Sequence, residues 1–177
     1  MKRAIILSMI VAVGIVALVF LSRSNKGTET SLSRAIVGLD APELLVSDTS
    51  GKTYRLADLK GSVVFVNFWA TWCQPCREEM PSLQTLYNQL KDRKGFRMVT
   101  VLYRDDYRRA MAYMSENHYE FPVLLDDGGK TAKSYGVTGV PETYVLDKKG
   151  VLKEKMIGPF DWASPDAVAR IAKLIEE

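Results

Sequence analysis

Apolar residues run from Ala4 to Leu21 without an intervening charge. As a helix that run is about 27 Å long, close to the thickness of a bilayer's hydrocarbon core. Residues 1–22 therefore read as an N-terminal membrane anchor, and the polar stretch 23–35 reads as a flexible linker. A cleaved signal peptide is the competing reading, although such peptides have shorter apolar regions of ~7–15 residues followed by a small-residue cleavage site. Lys2 and Arg3 precede the run while Arg23 and Lys26 follow it, so the charge bias leaves its orientation open.

From Ile36 the pattern changes. GLDAPELLVSD and GKTYRLADL are short strand-like pieces on either side of Thr49-Ser50-Gly51, which predicts a hairpin. Val63 to Ala70, VVFVNFWA, is a nearly continuous apolar and β-branched run, as in a strand buried on both faces. Met80, Leu83, Tyr87 and Leu90 then recur at helical spacing, with Pro81 near the helix start. FRMVTVLY predicts a second long strand, followed by a helix opened by Asp105 with Tyr107, Ala110, Met111 and Met114 on its apolar face. PVLLD predicts a strand, TAKSYGV a short helix, and TYVLDKKGVLKEKMIG two strands about Lys148-Lys149-Gly150. Ser164-Pro165-Asp166 caps a last helix bearing Val168, Ile171 and Ile175. This order predicts one α/β domain over residues 36–177, with a central mixed β-sheet flanked by helices.

Composition supports a single packed core, with 47% hydrophobic and 25% charged residues. The net charge is only +3, and acids interrupt the bases, as in Lys91-Asp92-Arg93-Lys94 and Arg104-Asp105-Asp106. Such a surface is simply solvated and argues against a nucleic-acid partner.

The only two cysteines lie in WCQPC, Cys73 and Cys76, at the junction between the first long strand and its helix. A closed zinc site needs four ligands, which these two and the single His118 cannot supply. A purely structural disulfide would close so short a loop that it contributes roughly 2 kcal/mol, against about 3 for a fifteen-residue loop. The third reading is redox chemistry, with the helix N-terminus favouring the Cys73 thiolate. On that reading Cys73, near solvent, attacks a partner's disulfide, and Cys76, one turn inside, resolves the mixed disulfide. Gln74 and Pro75 form the active-site turn, where a missing N–H costs nothing.

FWATWCQPCREEMPSL resembles the active-site stretch of membrane-anchored thioredoxin-like reductases of the TlpA, ResA and CcmG (DsbE) type. The resemblance covers the whole soluble part and implies a thioredoxin-like fold with an added N-terminal β-hairpin. It also implies that Pro141, in GVPETYVLD, is cis and lies against the cysteines, with the Val140 backbone pairing with an extended substrate. Pro141-Glu142-Thr143 is similar to a CcmG signature, whereas Cys-x-Pro-Cys is nearer the ResA pattern. Glu142 is expected to take part in substrate recognition, and Trp72 to border the sulfurs. Asn67 stands where thioredoxins carry a buried acid, and Glu79, three residues after Cys76, matches the active-site glutamate of ResA-like proteins. Glu79 is expected to exchange a proton with Cys76, its carboxyl pKa raised by burial.

Two acids near the thiols, and no charge within Gln74-Pro75, point to a reducing couple. The resemblance implies reduction of the haem-binding cysteines of apocytochrome c, on the extracytoplasmic side of a bacterial inner membrane, with electrons from a DsbD- or CcdA-type membrane protein. No metal or cofactor is expected beyond the Cys73–Cys76 disulfide. A general or copper-site disulfide reductase, and a copper-binding chaperone, are the other readings. His118 is expected at the surface, and Met80, Met111 and Met114 in packing roles.

Overall fold

A computed structural model describes residues 34–177. The anchor expected at 1–22 and all of the linker but Arg34 and Ala35 lie outside the described residues. Among those described, no helix is long and apolar enough to cross a membrane. Ala35, assigned from sequence to the linker, is buried, and its N–H reaches Tyr135 O at 3.4 Å.

The described chain runs β1 (Leu45–Ser47), β2 (Thr53–Arg55), β3 (Val63–Trp69), α1 (Gln74–Leu90), β4 (Phe96–Leu102), α2 (Tyr107–Glu116), β5 (Val123–Leu125), α3 (Lys130–Tyr135), β6 (Glu142–Leu146), β7 (Leu152–Ile157) and α4 (Pro165–Glu176). The strands form one sheet in the order β2-β1-β5-β4-β3-β6-β7. β3, β4 and β5 are parallel, as their helical crossovers require, and β6 and β7 continue antiparallel from β3. The hairpin β1–β2 adds to the other edge through β5. This is a thioredoxin-like fold, as the resemblance implies, with the mixed sheet and N-terminal hairpin that the pattern of elements predicts.

All seven residues of β3 are buried, because helices and loops cover both faces of the sheet. Strand side chains alternate, so Phe65 and Trp69 pack with α1 and α4 in one core, while Val64, Val66 and Phe68 pack with α3 and the N-terminal segment in the other. α1 presents Cys76, Glu79, Met80, Leu83, Leu86 and Leu90 inward and continues through Pro81. α4 packs on the same core through Ala167, Ile171, Leu174 and Ile175, and its N-cap Ser164 accepts from Ala167 N at 3.4 Å.

Two details differ from the sequence reading. Asp106, not Asp105, caps α2, its carboxylate accepting from Arg109 N at 2.9 Å. Asp105 is turned back to the active-site turn, where Thr71 N and Oγ1 both donate to its Oδ2 at 2.6 Å. Met111 is exposed, because in this ten-residue helix Ala110 and Met114 already meet the core and the next position turns outward.

Candidate active site

β3 delivers the chain to Ala70, a turn carries it through Thr71 and Trp72, and Cys73 caps α1. Cys73 has an extended backbone, with φ −88° and ψ 107°, so its Sγ reaches the first helical turn and accepts from Cys76 N at 3.1 Å. Gln74 and Pro75 occupy the first two helical positions, where helix N–H groups have no intrahelical acceptor. Cys73 and Cys76 are joined as a disulfide.

Antiparallel pairing of β6 with β3 sets Glu142 opposite Phe68, which brings the preceding Val140-Pro141 bond beside the end of β3. That bond is cis, and Val140 O lies 3.3 Å from Cys73 Sγ. Among the described residues the Val140 N–H has no hydrogen-bond partner, and Thr138 and Gly139 before it are exposed. The loop therefore presents an unpaired backbone N–H next to the sulfur. It also covers that sulfur: Cys73, expected near solvent, is only 4% exposed in the disulfide form, whereas Trp72 is 55% exposed. The Trp72 indole is steadied by donating to Arg104 O at 3.2 Å.

A buried polar cluster lies one helical turn beyond Cys76. Glu79 is 3% exposed, and Trp162 Nε1 donates to its Oε1. Asn67, on the same sheet face as Phe65 and Trp69, donates from Nδ2 to Thr143 Oγ1 at 2.9 Å. Burial raises the Glu79 carboxyl from 4.5 to about 7, against the opposing pull of Trp162, the Phe160 backbone and Asn67. A carboxyl with that affinity exchanges its proton near neutrality. The outer side of α1 here borders an open groove of about 480 Å3, lined by Ser82, Phe160 and Asp161 among others.

Glu142 is placed differently from Glu79. It heads β6 and its carboxylate is buried on the opposite sheet face, accepting from Tyr144 Oη at 2.6 Å and Thr138 N at 3.3 Å, with Lys155 Nζ 3.9 Å away. Burial, and then the Glu142 charge, push the Tyr144 phenol well above its ordinary value, so it stays a donor. The Glu142 side chain, expected to take part in substrate recognition, is buried and ties the start of the cis-proline loop to β6 and β7. The physical reason is the two-residue alternation of β6, which turns position 142 away from the cysteines.

Trp162 and Thr143 are the site residues that sequence reasoning missed. Thr143 was visible only as part of a signature, and Trp162 as an aromatic residue in a polar stretch. Phe68 and Trp69 are core, and His118 is exposed, as expected.

A buried sheet carrying a Cys-x-x-Cys disulfide at a strand–helix junction, opposite a cis-proline loop, defines a thioredoxin-fold thiol-disulfide oxidoreductase. The model of the AhpC/TSA family matches residues 37–155, and the chain belongs to that family. It is 38% identical over 122 residues, 69% of this chain and 70% of the relative, to the thiol-disulfide oxidoreductase ResA of Bacillus thuringiensis strain Al Hakam. It is also 31% identical over 157 residues to ResA of Geobacillus thermodenitrificans, covering 89% of this chain and 88% of the relative. Among solved structures, the thioredoxin domain of a thiol-disulfide oxidoreductase from Bacteroides vulgatus is 28% identical with a TM-score of 0.66, over 79% of this chain and 98% of that one.

Proposed function

We propose that this oxidoreductase works as an extracytoplasmic protein disulfide reductase, held at a bacterial inner membrane by residues 1–22, and that it reduces the haem-binding cysteine pair of apocytochrome c. The observation that carries the reductase direction is the Glu79 carboxyl, buried one turn beyond Cys76 with its pKa raised to about 7. A carboxyl there can take the Cys76 proton when a mixed disulfide must be resolved. Once ionised, its charge opposes a thiolate, which holds the thiols protonated and favours donation of electrons.

In the productive cycle an extended substrate segment lies along the Val140 backbone, whose free N–H and nearby carbonyl suit strand pairing. The Cys73 thiolate attacks one substrate sulfur, forming a mixed disulfide and releasing the other sulfur as a thiolate that takes up a proton. Glu79 accepts the Cys76 proton, and the Cys76 thiolate attacks Cys73 Sγ. The Cys73–Cys76 disulfide forms, and the substrate's second sulfur leaves as a thiolate and is protonated. Two electrons pass to the substrate, and a membrane thiol protein of the DsbD or CcdA kind returns them to this chain. No cofactor enters this cycle.

Replacing Cys76 with Ser leaves the mixed disulfide unresolved, so captured partners can be identified from cells. Apocytochromes c held through their Cys-x-x-Cys-His cysteines support the maturation role. A broad set of partners, or an oxidase copper subunit, assigns the reductase to another pathway.

A further inference from the structure

Glu79 Oε2 and Asn67 Oδ1 are both buried acceptors without a hydrogen-bond partner. Buried polar atoms in folded proteins are nearly always paired, so two bare acceptors in one cluster call for a proton, a reorientation or a bound water. Both residues are already anchored on their other side: Trp162 Nε1 holds Glu79 Oε1, and Asn67 Nδ2 donates to Thr143 Oγ1 at 2.9 Å. The Asn67 amide also bears on the Glu79 carboxyl itself, favouring its charged form.

The surroundings leave Asn67 as the adaptable partner. Cys76 faces Glu79 from α1, Asn67 from β3 with Thr143 of β6 behind it, and Trp162 with the Phe160 backbone from the segment before α4. Glu78 and Asp161 stand on the rim of the neighbouring groove, and no cation contributes to the Glu79 shift. Trp162 can only donate. An amide, by contrast, has a donor end and an acceptor end, and the Thr143 hydroxyl can serve either.

We infer that Asn67 is a positioning residue matched to both protonation states of Glu79, its amide making a half turn as the carboxyl gains or loses its proton. With Glu79 protonated, Oε2–H donates to Asn67 Oδ1 while Nδ2 donates to Thr143 Oγ1. With Glu79 ionised, Nδ2 donates to the carboxylate while the Thr143 hydroxyl donates to Oδ1. In each state both bare acceptors gain partners. The proton that leaves the Cys76 thiol resides on Glu79 and is then released; Asn67 neither gains nor loses one. An aspartate at position 67 would compete with Glu79 for that proton and split the titration into two steps. This inference rests on the proton role of Glu79 proposed above.

The test follows the Asn67 side-chain NH2 signals and the Glu79 carboxyl carbon by NMR, in the isotope-labelled full-length chain, from about pH 5 to 9. The disulfide form is used, so that neither cysteine titrates. The expected result is one shared midpoint near 7, with the Asn67 response abolished by Glu79→Gln. A Glu79 that titrates there while the Asn67 signals stay fixed overturns the amide switch and leaves the proton role of Glu79 standing. A Glu79 that does not titrate in that range overturns both. Asn67→Leu is expected to raise the pH midpoint of disulfide exchange by about one unit, which a residue that only supports packing would not do.

Discussion

Trp162 and Glu79, 83 residues apart in sequence, meet inside the protein, the indole N–H donating to the carboxyl. The contact opposes the effect of burial, since a donor aimed at a carboxyl favours its charged form. Glu79 thereby titrates near neutrality, where proton exchange with Cys76 is useful.

Trp162→Phe keeps most of the ring packing against Phe65 and Phe160 but removes the donor. A hydrogen bond to a charged group is worth about 1.5–3 kcal/mol, so the Glu79 titration should rise by about one to two pH units. The pH profile of disulfide exchange, compared between wild type and variant, reads this shift directly. An unmoved midpoint would show that the contact does not tune the acid.

Stability should carry the same signature. The folded Glu79 pKa of about 7 lies above the ordinary 4.5, so between those values the unfolded chain loses its proton while the folded one retains it. Stability attributable to Glu79 is thus complete below the lower value, falls as pH rises, and is lost above the upper one, a change of about 3 kcal/mol. Glu79→Gln should flatten that part of the curve and leave the variant the more stable protein at alkaline pH. Urea midpoints collected across the range would show whether it does.

Glu142→Ala should destabilise the domain by about 2–4 kcal/mol, because Lys155 loses its counter-charge, Thr138 N loses its acceptor and the Tyr144 hydroxyl keeps only Tyr135 O, 3.3 Å away. Glu142→Gln retains a hydrogen-bonding group and should lose less. If Glu142 acted by touching substrate, both variants would instead raise KM with unchanged urea midpoints.

Asp105→Ala removes the acceptor that holds Thr71 N and Oγ1 at 2.6 Å, just ahead of Trp72 and Cys73. The expected loss is about 1–3 kcal/mol of stability, with slower attack by Cys73 as its turn loosens. Stopped-flow reduction of a model disulfide separates the rate effect from the stability effect.

The periodicities of VVFVNFWA and FRMVTVLY were enough to place the central strands, because a strand buried on both faces has to be apolar at nearly every position. Cys73, Cys76 and the inward direction of Glu79 were likewise legible, since helical spacing puts residues three apart on one face. The cap of α2 slipped by one residue because Asp105 and Asp106 are equally able caps, and Thr71, 34 residues earlier, claims the first. The burial of Glu142 was not legible for a similar reason: its carboxylate is buried only because β6 pairs with β3 and turns that position toward Tyr144.

The sequence by itself determined the alternation of elements, the redox pair and the acid one turn beyond it, since each follows from short-range spacing and side-chain chemistry. Only the tertiary structure decided what surrounds them. Pairing of β6 with β3 sets Thr143 opposite Asn67, and the segment before α4 carries Trp162 to Glu79, contacts that no local period encodes. Proton affinity depends on burial and on donors brought in from distant parts of the chain, and both exist only once the sheet and helices have closed over the site.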